Sequence, residues 1–463
     1  MSKNTSMHLY FSGIGGSGLT PLSMLARDCG FEVSGSDGQA GSGTGELIKQ
    51  GIKISFEQSY QEIKEAHQLK PIDWIIVSSS LPENHPHITF AKDNNIKISK
   101  RSLLINSIIE SKNLKLIAIS GTHGKTTTTA MITWLFKKLK IPVSYLIGSH
   151  ISFGNAGFWE PGASYFIFEC DEFDRNFLDF KPQLSVIPSL DYDHPDTYPT
   201  EENYLQAFSQ FLNQSQSFLI NFNDLQKLTL DFEQKISQPD STSQSSIVLG
   251  NNGELGKFQI STDIAPKPSL NIPGNHNKSN ASIALQTILQ IATEFNEKFQ
   301  NREELLHEMV KILNLFPGTS RRFEKIAKNI YSDYAHSPVE IAATLQLATE
   351  ILGPNSELIV VYQPHQNIRQ HEKTIRAGYQ NCFEKADQIY WLPTYLSREN
   401  PELKILTPAE LSSEVSKEVI LSNLNQELER ELKKHLENQD LILFLGAGDI
   451  DDWAKNFALK NRE

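Results

Sequence analysis

Short apolar, β-rich runs alternate along the chain with longer stretches of helical periodicity, the pattern of stacked βαβ units around parallel sheets. His8–Ile14 reads as a buried strand, Gly18–Cys29 as a helix, Glu32–Asp37 as the next strand and Trp74–Ser79 as a further one. The pattern breaks at Ser111–Leu114. Lys115–Ser120 then opens a second unit, followed by a glycine-bounded turn and a helix beginning near Lys125, and Tyr165–Cys170 and Leu184–Ser189 supply two more buried strands. Gln234–Ser246, rich in Ser, Gln and Pro, reads as a loop or weakly ordered insertion. A third pattern follows Phe316-Pro317-Gly318, with strands expected at Asn329–Tyr334, Leu358–Tyr362, Gln388–Trp391 and Leu441–Leu445. The expectation is an α/β protein of three consecutive domains, bounded at 1–110, 111–316 and 317–463.

At 463 residues the chain exceeds one hydrophobic core, which agrees with several domains. A formal charge of −12 argues against a general nucleic-acid partner, because counterion release needs clustered Lys and Arg. No apolar run approaches a bilayer span, and the start, MSKNTSMHLYF, lacks the layout of a signal peptide. The three cysteines, Cys29, Cys170 and Cys382, are far apart and lack metal spacing, so a cytoplasmic location without membrane attachment fits best.

Candidate chemistry concentrates in the second unit. In Ile119-Ser120-Gly121-Thr122-His123-Gly124-Lys125-Thr126-Thr127, between a strand and a helix, the glycines let several N–H groups converge on one anion, and the helix adds its positive end. Lys125 supplies a point charge for phosphates and Thr126 a hydroxyl for Mg²⁺, although Ile119 stands where the usual nucleotide loop has its first glycine. Glu169-Cys170-Asp171-Glu172-Phe173-Asp174 and Asp191-Tyr192-Asp193-His194 each follow an apolar strand, where open α/β sheets bind ligands. Hard oxygens there suit Mg²⁺; two solvated acidic turns are the plainer alternative.

Gly121–Thr128 resembles the ATP loop of the Mur ligases, and the resemblance runs over nearly the whole chain. It implies a Rossmann-like N-terminal domain, a central P-loop ATPase-type domain and a C-terminal Rossmann-like domain, with ATP and Mg²⁺ as cofactors. It makes Gly121, Thr122, Gly124, Lys125, Thr126 and Thr127 the nucleotide loop, and Thr126, Glu169 and His194 the metal ligands. Where the family usually carries Asn before this histidine, the chain has Ser189, whose shorter side chain implies a weaker or water-mediated contact. Ile272–Asn280 is similar to the nucleotide-side motif, with Asn277 and Asn280 projecting from one helical face; simple helix capping by Asn is the competing local reading. In the third domain, Ser320–Glu324 and Tyr331–Pro338 resemble motifs that close over ATP, giving Arg322 to phosphate, Asp333 to the nucleotide and His336 to the reacting groups, although an Arg–Asp pair is by itself more often a surface ion pair.

Tyr362-Gln363-Pro364-His365, Tyr395–Glu399 and Leu445–Ile450 resemble the branch that adds L-alanine to UDP-N-acetylmuramate, which implies substrate roles for His365, Arg369 and Arg398. Gln366 departs from that branch, which commonly has Arg there. Phe11–Gly18 follows a strand and opens a helix, and Asp37 closes the next strand. Spacing alone leaves NAD open; the resemblance instead places the diphosphate of the UDP-sugar at Gly13, Gly15, Gly16 and Gly18, with Asp37 and Ser78 lining the cleft. The implied reaction proceeds through an acyl phosphate, with Lys125, His194, Arg322 and His336 at the reacting groups, and either histidine is a candidate for taking the amine proton. A ligase adding a whole tripeptide to the same sugar is the nearer rival. A monomer or weak homodimer is expected.

Overall fold

The computed structural model describes residues 6–195, 197–229, 247–251, 254–256, 269–292, 301–397 and 399–461; the insertion expected at Gln234–Ser246 and the candidate Arg398 lie outside them. The apolar runs, too hydrophobic to leave either face in water, assemble into three sheets covered by helices.

In the first sheet, β1 (His8–Ser12), β2 (Glu32–Ser36), β3 (Lys53–Ser55), β4 (Trp74–Val77) and β5 (Lys97–Ser99) lie in the order β3-β2-β1-β4-β5, all parallel. The order reverses between β1 and β4, which opens a crevice at their carboxyl ends.

The second sheet comprises β6 (Lys115–Ile119), β7 (Val143–Leu146), β8 (Gly157–Phe158), β9 (Tyr165–Glu169), β10 (Leu184–Ile187), β11 (Ser217–Asn221), β12 (Ile247–Asn251) and β13 (Glu254–Gly256), in the order β13-β12-β11-β10-β6-β9-β7-β8. Its parallel centre sets β6 between β10 and β9, so the segments leaving these three strands meet at one edge. In the third sheet, β14 (Glu324–Ala327) pairs antiparallel with β15 (Ile330–Asp333); β16 (Leu358–Tyr362), β17 (Gln388–Trp391), β18 (Ile420–Leu421) and β19 (Leu441–Leu445) complete the order β14-β15-β19-β16-β17-β18.

The chain forms two compact units: residues 1–270 with 279–316 carry the first two sheets, and 271–278 with 317–463 carry the third. Within the first unit one continuous apolar core joins Leu9, Phe11 and Trp74 of the first sheet and Leu22, Leu104 and Ile108 of its helices to Ala118, Phe166, Phe168 and Ile187 of the second. Gly157 of β8 sits so close to Pro21 O in the helix Leu19–Asp28 that a Cβ would collide with it. No helix among the described residues is long and apolar enough to cross a membrane.

Several strands end earlier than the apolar pattern suggests. β1 stops at Ser12 because Gly13 turns to φ +81°. β10 stops at Ile187, before Pro188, which has no N–H to continue the ladder.

Candidate functional site

The phosphate loop leaves β6 and turns into the helix Lys125–Lys138. Gly121 and Gly124 hold φ of +131° and +80°, conformations that an L side chain rarely adopts. A Cβ on Gly121 would stand 2.5 Å from Ser189 O, and one on Gly124 would run into the Asn280 side chain. Ser189 braces the loop: its Oγ accepts from His123 N at 2.9 Å and its carbonyl from Thr122 N at 3.1 Å. Thr122 Oγ1 in turn donates to Asp191 O and accepts from Asp191 N at 2.7 Å, tying the loop to the segment that carries His194.

Lys125 reaches back into its own loop. Its Nζ donates to Gly121 O at 2.5 Å and to Glu172 Oε1 at 2.8 Å. Burial works against its charge, but Glu172, Asp171 and Glu169 outweigh burial and hold the ammonium above its ordinary range. Thr126 Oγ1 donates to Glu169 Oε1 at 2.6 Å, and Gly148 N to Glu169 Oε2 at 2.6 Å. Thr127 is buried in the helix's first turn. His194 stands on a strained backbone, φ +57°, with Nε2 3.6 Å from Glu172 Oε1. Burial lowers its pKa, yet Glu172, Asp193 and Asp171 carry it above the ordinary histidine value. Asp171 is pushed up by burial and pulled below the usual carboxylate range by Lys125 and Arg101.

The structure therefore joins Thr126 to Glu169 and, separately, Lys125 and His194 to Glu172, an acid to which, like Asp171, the sequence assigns no individual role. Asp171, Glu172 and His194 place one ligand atom each within 4.8 Å of one another. The alternation Glu169-Cys170-Asp171 leaving a strand, with Glu172 turning inward after it, was the signal available. Cys170 is fully buried and its thiol is pushed far up by burial, which leaves it inert.

At the first sheet, Asp37 Oδ2 accepts from Gly15 N at 2.8 Å, so the carboxylate braces the glycine loop itself. A Cβ on Gly13 would stand 3.0 Å from Ser78 Cβ, and Gly16 N closes the turn onto Gly13 O at 3.2 Å. A Cβ on Gly18 would lie 2.5 Å from Arg101 Nη1.

The two asparagines of Ile272–Asn280 do different things. Asn277 Nδ2 donates back to Pro273 O at 3.1 Å, which is not the side-chain-oxygen acceptance of a helix cap, whereas Asn280 is buried against Gly124.

In the second unit Asp333 is not a surface ion-pair partner. It is buried and accepts from Phe323 N at 2.6 Å and Ala335 N at 2.7 Å. Burial pushes its carboxyl up to about 6, against the pull of Arg322 and those N–H groups. The Arg322 guanidinium lies 4.9 Å over the Tyr334 ring. Its neighbour Arg321, which sequence reasoning passed over, donates to Gly446 O at 2.8 Å and Gly448 O at 3.1 Å, bracing the last glycine loop.

His336, His365 and Arg369 come together there. Arg369 Nη1 is 2.7 Å from His336 Nε2, and the two imidazoles meet edge to face at 5.7 Å. A guanidinium only donates, so His336 Nε2 accepts and its proton sits on Nδ1, facing Tyr334 O at 3.2 Å and Glu340 at 3.3 Å. Gln366 turns at φ +59° and its N–H bonds Tyr395 O, and Glu399 accepts from Asn367 N and Ser397 N.

Residues 8–113 match the catalytic-domain model of the Mur ligase family, 119–288 the Mur ligase middle domain and 321–448 the Mur ligase glutamate ligase domain. A UDP-N-acetylmuramate–L-alanine ligase of Fusobacterium nucleatum is 31% identical, covering 97% of this chain and 96% of its own. One from Clostridium acetobutylicum is 28% identical over 97% of each chain. The crystal structure of UDP-N-acetylmuramate-alanine ligase from Thermotoga maritima superposes with a TM-score of 0.73 at 24% identity, over 98% of this chain and 99% of the other.

Proposed function

The chain belongs to the Mur ligase family, and on that premise we propose that it forms an amide bond between the lactyl carboxylate of UDP-N-acetylmuramate and L-alanine, converting ATP to ADP and phosphate. The observation that carries this reading is the Lys125 ammonium, held charged by Glu172 inside a glycine loop, with Asp171 and His194 gathered around the same carboxylate. That arrangement suits phosphoryl transfer, where positioning and charge do most of the work.

A carboxylate oxygen of the sugar attacks the γ-phosphorus, the bond to the bridging oxygen of ADP breaks, and an acyl phosphate forms. Lys125 and the amino end of the helix Lys125–Lys138 counter the charge on the transferring group. The L-alanine amine adds to the acyl carbon and loses a proton, and phosphate leaves as the tetrahedral intermediate collapses. Arg322 and Asp333 serve the nucleotide; His336, His365 and Arg369 serve the amino-acid end. Glu172 Oε2 is buried without a hydrogen bond among the described residues, and Glu172, Asp171 and His194 form a donor set that fits a hard divalent cation such as Mg²⁺, while Thr126 and Glu169 pair with each other beside it. Bound there, Mg²⁺ would neutralise phosphate charge. The raised His194 and the engaged Nε2 of His336 both weigh against a free imidazole base.

The test is ADP release. It should need both UDP-N-acetylmuramate and L-alanine, and Lys125→Ala should lower it by roughly 100-fold or more. Near-normal ligation by that variant would overturn the assignment. Preference for a tripeptide over L-alanine would transfer the chain to the rival reaction.

A further inference from the structure

The helix Glu201–Asn213 turns Tyr204, Phe208, Phe211 and Leu212 into the core of the first unit. Tyr204 alone of these four carries a polar side-chain atom, and burying a hydroxyl costs free energy unless it finds a partner. Its ring is fully enclosed, meeting Tyr198 edge to face at 5.1 Å and Phe208 at 4.9 Å, so packing sets the direction of the hydroxyl. That hydroxyl lies 2.8 Å from Thr122 Oγ1, 82 positions away in the nucleotide loop. Burial, reinforced by the nearby Glu172, holds the phenol far above its ordinary titration range, so it keeps its proton.

Thr122 Oγ1 has one proton, and that proton goes to Asp191 O. Its two lone pairs are left for Asp191 N, at 2.7 Å, and for the Tyr204 hydroxyl, which therefore donates. The Thr122 hydroxyl is thus engaged on every side, and its backbone is fixed with it. The N–H donates to Ser189 O at 3.1 Å, and the carbonyl accepts from Lys125 Nζ at 3.3 Å. A second ring of the same cluster, Tyr198, donates its hydroxyl to Glu172 O at 2.6 Å, on the residue that holds the Lys125 ammonium. Resting on the functional reading above, we propose that Tyr204 is a positioning residue for ATP: through Thr122 it holds Gly121–Thr127 in the shape that receives the phosphates before the nucleotide arrives. A loop set beforehand spares binding the cost of ordering it.

The experiment is calorimetric titration of the full chain with ATP and Mg²⁺, without UDP-N-acetylmuramate or L-alanine. Tyr204→Phe keeps the ring and removes the hydroxyl. It should weaken ATP binding by about 3- to 10-fold, the range for one neutral hydrogen bond, while kcat at saturating ATP stays within about twofold. Tyr145→Phe removes another buried hydroxyl, one that accepts from Lys137 in the last turn of the loop's helix, and should leave ATP affinity unchanged. Thr122→Val removes the acceptor, and in that background Tyr204→Phe should cause no further loss. A lowered urea midpoint in Tyr204→Phe with unaltered ATP affinity would overturn the proposal and reduce the tyrosine to a core residue. So would a full second loss in the Thr122→Val background, because the effect would then travel by another route. In contrast, an unaltered chain that binds ATP but releases no ADP with both substrates present would refute the functional reading and not this contact.

Discussion

Asp333 shows what burial does to one side chain. Its folded-state pKa of about 6 exceeds the unfolded value of 3.8, so between those values the native state holds the extra proton. The stabilisation linked to that proton is complete below pH 4 and is lost as pH rises through about 6, amounting at most to about 3 kcal/mol. Asp333→Asn should remove this slope. Urea unfolding should therefore show the variant gaining on the unaltered chain between pH 4.5 and pH 7.5; an identical difference at both pH values would contradict the assignment. The amide's mismatch with one of the two N–H donors is the same at both, and cancels. The sequence could nominate Asp333, but its depth could not be read from it, because burial comes from β15 and β19 lying side by side though more than a hundred positions apart in the chain. Glu172 and Ser189 were hidden for the same reason. Their partners, Lys125 and His123, are 47 and 66 positions away.

At the scale of elements, long apolar strands and the phosphate-loop helix were legible because periodicity and glycine punctuation agree there. β3 and β5 were not: Lys53–Ser55 and Lys97–Ser99 are three residues each and mostly polar, and only pairing with β2 and β4 makes them strands. The loop glycines can be tested as elements of the turn. Gly124 and Gly162 share left-handed backbones, φ +80° and +84°, but a Cβ would meet Asn280 at the first and nothing within 4 Å at the second. Gly162→Ala should cost about 1–2 kcal/mol of stability, the backbone penalty alone. Gly124→Ala should cost more and also abolish ATP binding, as thermal melts with and without nucleotide would reveal. Equal costs and intact binding would mean that Asn280 does not buttress the loop.

For the molecule as a whole, the continuous core of the first unit has a consequence for dissection. Leu22, Leu104 and Ile108 pack into the same cluster as Phe166 and Phe168. Leaving a large apolar side chain in water forfeits about 1.5–3 kcal/mol. Three or four such losses consume most of the stability of an ordinary domain, about 5–15 kcal/mol. A fragment of residues 1–110 should therefore lack a cooperative urea transition, while residues 1–316 should retain one; a sharp transition in the shorter fragment would show that the first sheet is self-sufficient. The sequence marked the seam at Ser111–Leu114 correctly as a break between elements, yet a linker's position says nothing about whether the faces beside it are joined.

That joint core also acts as a gauge. The loop at Gly13–Gly18 and the loop at Gly121–Thr127 rise from elements that share this core, so, on the function proposed above, the span between a diphosphate at the first and a phosphoryl group at the second is set when the chain folds. An acceptor acid is then selected by reach as much as by contact. UDP-sugars whose carboxylate hangs one bond short or long should still bind, and bind well, while staying out of line for transfer.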